Sequence, residues 1–175
     1  MARHDHAEIA TMIVGLADSI AAAFDAKSPI NVVGIRTRGE VLAQRLVKLL
    51  NQRGFANIGR GVLDITLYRD DLSEVGPRPL VRPTRLDITI DAVALLLVDD
   101  VLFTGRSVRA ALDALSDFGR PSVVRLAVLV DRGGRELPIQ PDFVALKMTN
   151  VPAGQRVKVR LSEVDGVDEI IVAPK

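Results

Sequence analysis

Apolar residues in this chain are grouped at two spacings. Short continuous runs, Leu95-Leu96-Leu97-Val98 and, almost unbroken, residues 123–130 (VVRLAVLV), predict strands covered on both faces, as inside a parallel sheet. Residues 30–35 (INVVGI) predict a further strand, and the alternation over 62–68 (VLDITLY) predicts another. Between these runs the spacing becomes helical. Residues 9–24 form an Ala-rich stretch with a wide apolar face, residues 40–50 (EVLAQRLVKLL) stop near Gly54, and residues 108–115 come after the Leu95 run. Shorter strands are predicted at 142–146, 155–161 and 167–172. Strands alternating with helices from 30 to 130 predict right-handed βαβ units, hence an α/β fold with an open parallel sheet flanked by helices. No internal repeat or second domain is visible, so residues 1–175 are expected to form a single domain.

Ligands of open parallel sheets bind beyond the carboxyl ends of the strands, so the residues just past each run are the candidates for chemistry. After Val98 come two carboxylates, Asp99 and Asp100, then Val101-Leu102-Phe103-Thr104-Gly105-Arg106-Ser107 and a helix. Gly105 lets the backbone turn sharply, Thr104 and Ser107 supply hydroxyls, and the N–H groups opening the helix form an anion site. A phosphate fits there. Adjacent carboxylates suit the hydroxyls of a sugar, or a magnesium ion shared with it. Together these groups ask for a ribose carrying a 5′-phosphate. No lysine comes after the glycine, which separates this loop from that of ATPases.

The 30–35 run ends similarly, in Arg36-Thr37-Arg38-Gly39 ahead of a helix, and predicts a second anion grip. Residues 69–85 hold three prolines and seven charged residues with little periodicity. Such a stretch is expected to be a flexible lid, excluding water and bringing an arginine, Arg69 foremost, onto a departing anion.

Composition narrows the chemistry. With 48% apolar and 26% charged residues the chain is globular, and with no cysteine it has neither disulfides nor thiolate chemistry. His4 and His6 are the only histidines and lie near an N-terminus expected to fray, which argues against a histidine triad or a His-x-His metal site. A net charge of +1 neither favours nor excludes nucleic acid. No apolar run of membrane-spanning length and no signal segment is seen, so a soluble, cytoplasmic protein without membrane contact is expected.

Residues 95–107 resemble the signature with which type I phosphoribosyltransferases bind phosphoribosyl pyrophosphate (PRPP). Further segments are similar to one branch, the pyrimidine operon attenuator and uracil phosphoribosyltransferase family (PyrR): 33–39, 63–72, 98–115, 119–121, 126–133 and 135–139. The resemblance implies a type I phosphoribosyltransferase fold with a small hood and a flexible lid. It implies conversion of uracil and PRPP to UMP and pyrophosphate, magnesium held mainly through PRPP, and a homodimer or higher homo-oligomer. Many members also bind the leader RNA of the pyrimidine operon when UMP is present. On this reading Asp99 and Asp100 hold the ribose and Val101 and Phe103-Thr104-Gly105-Arg106-Ser107 the 5′-phosphate side; the resemblance places the pyrophosphate on Thr37-Arg38-Gly39, with Arg36 beside it. Arg38, Arg69 and the two acids are then the catalytic set, and Asp131, Arg132 and Val151 lie by the base.

The chain departs from that family in places. Gly134 stands where histidine is usual, Gln140 where a basic residue is usual, and Val14, Gly15 and Asp18 occupy a helix face that is generally basic. Ala153-Gly154 replace the usual Thr-Ser after the Asn-Ile-Pro-like Asn150-Val151-Pro152. Residues 1–30 carry a net −2, whereas RNA affinity rests on Lys and Arg contacts to phosphate. Phosphoribosyl transfer with weakened or lost RNA binding is therefore expected. The alternatives are a UMP-dependent RNA-binding regulator and a phosphoribosyltransferase for another base.

Overall fold

The computed structural model describes residues 3–70 and 81–174. Five strands, β2 (Ile30–Ile35), β3 (Ile58–Leu63), β4 (Ala94–Leu102), β5 (Val123–Asp131) and β6 (Phe143–Lys147), form an all-parallel sheet in the order β3-β2-β4-β5-β6. Leu95, Leu96, Leu97 and Val98 of β4 are all 0% exposed, as a run with no polar face requires. The pleat divides them between two cores. Leu96 and Val98 join Ile30, Val32 and Leu129 beneath α1 (His6–Ala23) and α2 (Arg38–Gln52). Leu95 and Leu97 join Val33, Ile35 and Val128 beneath α3 (Arg106–Ser116) on the opposite face. Each such side chain contributes about 1.5–3 kcal/mol of burial.

The strand order positions the site. From β2 the chain passes to β3 on one side, and then crosses to β4 on the other. The order therefore reverses between β2 and β4, where a crevice opens at their carboxyl ends.

A separate three-stranded antiparallel sheet, β1 (Arg3–His4), β8 (Glu169–Pro174) and β7 (Gln155–Arg160), carries α4 (Ser162–Asp165) between β7 and β8. This sheet is the hood.

Four sequence expectations need correction. Residues 3–5 do not fray: Arg3 and His4 pair with Ile171 and Ile170, and Asp5 caps α1 by exchanging hydrogen bonds with Glu8 at 3.0 Å each way. Residues 62–68 are not one strand. β3 occupies 58–63, and Asp64 ends it by accepting the Thr66 N–H at 2.8 Å and starting a 3₁₀ turn, Thr66–Tyr68. β4 does not stop before the acids but runs on to Leu102. Finally, α1 is long and apolar enough by composition to cross a membrane, yet Ile9, Ile13, Leu16 and Ile20 are packed into the core.

The expected lid is also partly fixed. Arg85 exchanges two backbone hydrogen bonds of 2.8 Å with Val62, and Thr84 Oγ1 accepts the Asp64 N–H at 3.0 Å. Residues 71–80 of that segment lie outside the described residues.

Candidate active site

The carboxyl ends of β2 and β4 frame a cleft of about 390 Å³ at the switch point. One wall is the turn after β2, where Arg36, Thr37 and Arg38 lead into the N-terminus of α2 through a cis peptide bond between Arg36 and Thr37. Glycine lets this turn lie against β4. A Cβ on Gly39 would sit 2.5 Å from the Val98 carbonyl oxygen, and one on Gly34 would sit 2.5 Å from that of Gly39. Helix N-termini attract anions, and this one is joined by two guanidinium groups. Arg36 Nε is buried with no hydrogen-bond partner among the described residues, a costly state that an arriving anion would relieve.

Asp99 and Asp100 form the facing wall. Pairing of β2 with β4 ends at Gly34 and Val98, so both acids lie past the last β2–β4 pair although still within β4. Each carboxylate is tied to the backbone: the Asp100 N–H donates to Asp99 Oδ1 and the Val101 N–H to Asp100 Oδ1, both at 2.9 Å. Burial, and then the charge of Asp100, holds the Asp99 carboxyl well above the usual carboxylate range. Burial raises Asp100 as well, against hydrogen bonds from Asp99 and Val101 and the charge of Arg38. A buried acid pair of this kind is relieved by hydroxyl donors or by positive charge.

Of the third wall the sequence predicts only Arg69. Asp64, at the end of β3, accepts the backbone N–H groups of Thr66 and Arg82 and the Thr66 hydroxyl. Burial alone would raise its pKa, but those hydrogen bonds and the Arg36 charge hold it below the usual carboxylate value. Arg69 and Arg82 both reach the cleft from the two ends of the lid segment. The Asp-x-Thr spacing at 64–66 was the available turn signal, and the apolar alternation around it concealed it.

The loop after β4 leads into the N-terminus of α3, where helix N–H groups are open to an anion. Gly105 caps α3 with φ +94°, a conformation open chiefly to glycine. The carbonyl oxygen of Thr104 accepts the N–H groups of Glu136 and Leu137 at 2.9 and 3.1 Å, and that of Phe103 accepts Arg135 Nη1 at 3.0 Å. Ser107 lines the cleft. Arg106 is turned away from it: its guanidinium pairs with Asp70 at 2.5 Å and Glu136 at 2.8 Å.

Thus the cleft brings together Arg36, Thr37, Arg38, Arg69, Asp99, Asp100, Val101 and Ser107. The residues expected at the base lie apart from its wall. Asp131 Oδ1 is engaged by the Gly133 N–H at 3.0 Å and Arg135 Nη2 at 2.8 Å, and the Arg132 guanidinium lies 3.7 Å over the Phe103 ring. Val151 lines a second cavity of about 590 Å³, bounded by the end of β6 and by His4, Gln155 and Val172 of the hood. Gly134 packs under the same ring, since a Cβ there would meet Phe103 at 2.6 Å.

Known proteins are similar to this chain in sequence and in fold. Residues 4–159 match the family described as phosphoribosyl transferase domain. A bifunctional protein PyrR of Chloroflexus aurantiacus is 56% identical over 143 residues, covering 81% of this chain and 77% of that protein. The bifunctional protein PyrR of a Roseiflexus species is 48% identical over 96% of this chain and 92% of its own. Among solved structures, the hypoxanthine phosphoribosyltransferase of Trypanosoma cruzi superimposes with a TM-score of 0.72 at 18% identity, covering 98% of this chain and 95% of that one. A hypoxanthine-guanine phosphoribosyltransferase of Bacillus anthracis gives 0.66 at 16% identity, with 85% of each chain covered. The fold, the matched length and the identity agree: this chain belongs to the PyrR family of type I phosphoribosyltransferases.

Proposed function

We propose that the protein transfers the phosphoribosyl group of PRPP to uracil, releasing UMP and pyrophosphate. The observation that carries this reading is the acid pair, Asp99 buried and Asp100 half-buried, in a cleft flanked by the N-termini of α2 and α3. A sugar bearing phosphate at one end and diphosphate at the other matches that order of charges.

Asp99 and Asp100 accept hydrogen bonds from the ribose hydroxyls and stabilise positive charge growing at C1 as the diphosphate departs. The backbone of 103–107, with Thr104 and Ser107, holds the 5′-phosphate. Arg36, Thr37 and Arg38 hold the diphosphate, with Arg69 and Arg82 on its open side, and water is kept from the cationic sugar. No nucleophile on the protein is needed. Among the described residues no group of three His, Asp or Glu side chains forms a metal cage. A magnesium ion bound to the diphosphate would neutralise charge on the leaving group.

Asp131, Arg132 and the backbone near Val151 read the base. Their distance from the cleft wall leaves another base as the second reading, favoured by Ala153-Gly154. RNA binding is weakened or lost. Of the cations on the α2 side, Arg53 is taken up by Asp18 at 2.6 Å and Arg45 by Glu163 and Asp168 at 2.5 and 2.8 Å.

One panel tests the activity: purified protein, PRPP and magnesium against free bases, with pyrophosphate release as the readout. Uracil should be the preferred base; release with none of them would refute transfer. A filter-binding titration with leader RNA and UMP should show only weak, salt-sensitive retention. Tight UMP-dependent retention would refute the loss of RNA binding.

A further inference from the structure

Arg38 has its guanidinium fastened to the hood. Its Nε and Nη2 donate to Asp165 Oδ2 and Oδ1 at 2.9 and 2.7 Å, the bidentate fork of an arginine–carboxylate pair. A guanidinium carries five N–H groups; the fork uses two, and Arg38 still forms part of the cleft wall. We infer that Asp165 is a positioning residue for the pyrophosphate grip, holding Arg38 so that its remaining donors meet the diphosphate. This rests on the phosphoribosyl reading of the cleft.

Asp165 is suited to the task because it is itself fixed. Its Oδ2 also accepts the Leu161 N–H at 2.9 Å, and its side chain is 14% exposed. The segment that carries it is held a second time on α2. Arg45, two helical turns after Arg38 and so on the same face, donates to Glu163 at 2.9 and 2.5 Å and to Asp168 at 2.8 Å through both nitrogens. Residues 161–168 thus lie along α2 as a splint over two arginines. An arginine already ordered loses less rotamer freedom when an anion arrives.

A staple joining hood to helix would show the same contacts, so the test separates ligands. Ribose 5-phosphate engages the 103–107 loop but leaves Arg38 alone; pyrophosphate does the reverse; PRPP needs both. Calorimetric titrations with magnesium would compare wild type, D165N and D165E. D165N should weaken PRPP and pyrophosphate by about tenfold and leave ribose 5-phosphate within about twofold. D165E, which keeps the charge, should recover most of the loss. In an Arg38→Gln background, D165N should add nothing further. Unchanged PRPP and pyrophosphate affinity in D165N would overturn the inference. Equal loss of all three ligands would also overturn it, by making Asp165 a structural staple. A wild-type protein that binds none of the three takes down the phosphoribosyl reading itself, and this inference with it.

Discussion

Replacing Asp99 and Asp100 together with Asn is expected to lower turnover by about 10²–10³-fold and to raise the melting temperature of the ligand-free protein at pH 7. Both effects have one cause. Asp99 is buried and Asp100 half-buried beside it, so their charge is costly until a sugar acquiring positive charge lies against them. Asparagine keeps the shape and a carbonyl acceptor, but offers the developing cation no counter-charge.

The pH dependence separates this from general damage. Because the folded state raises both pKa values, it holds protons more tightly than the unfolded chain. Wild type therefore loses stability as pH rises from about 4 through the elevated folded values, and the double variant does not. Thermal melts should show the variant's advantage opening above pH ~4 and vanishing in stronger acid, each kcal/mol of relief appearing as about 2–4 °C. Near-normal turnover, or a variant melting below wild type at pH 7, would contradict the assignment.

Asp168→Asn should have the opposite signature. This carboxylate has 0% side-chain exposure and accepts Arg45 through both oxygens at 2.8 Å, the Ser162 N–H at 2.7 Å and a contact from His6 Nδ1 at 3.0 Å. It joins β1–α1, α2 and the hood at one point. Removing its charge leaves Arg45 with Glu163 as its remaining acidic partner, so the loss should lie near the low end for a broken buried pair, about 3 kcal/mol. That corresponds to roughly 6–12 °C in melting temperature. The hydrogen bonds from Arg45 hold the Asp168 carboxyl far below its ordinary value, outweighing burial. Its stabilisation is therefore complete above the unfolded pKa of about 3.9 and is lost as pH falls toward the folded one. The gap between wild type and variant should stay constant from pH 8 to about 5 and narrow below about 4. A gap that grows in acid would contradict this account.

The central fold was legible because residues 95–98 of β4 and 126–130 of β5 are buried on both faces and carry no polar alternation to confuse the reading. β2 was legible to the residue, and Asp99, Asp100 and the loop to Ser107 could be placed by their position after an apolar run. The strand order was not legible. It depends on pairings such as Gly34 with Val98 that no local pattern encodes, although the order sets the cleft between Arg36 and Asp99.

β3 was misplaced for a different reason. Ile58-Gly59-Arg60-Gly61 has poor strand propensity, and a Cβ at 59 or 61 would press on the side-chain ends of Asn31 or Leu86. The error carried Asp64 and Thr66 into a strand and hid their turn. The hood ion pairs of Arg38 and Arg45 span more than 110 residues of sequence, and charge alone does not reveal partners at that distance. His6 was discounted for its place near a terminus, whereas the cap at Asp5 and pairing with β8 hold it against Asp168.

The most direct measurement is a crystal structure of the protein with PRPP and magnesium. The account predicts the 5′-phosphate on the N–H groups of 103–107 and the hydroxyls of Thr104 and Ser107. The ribose hydroxyls should rest on Asp99 and Asp100, and the diphosphate against Arg36, Thr37 and Arg38. A sugar lying in the cavity beside Val151, or anywhere away from the ends of β2 and β4, would contradict it.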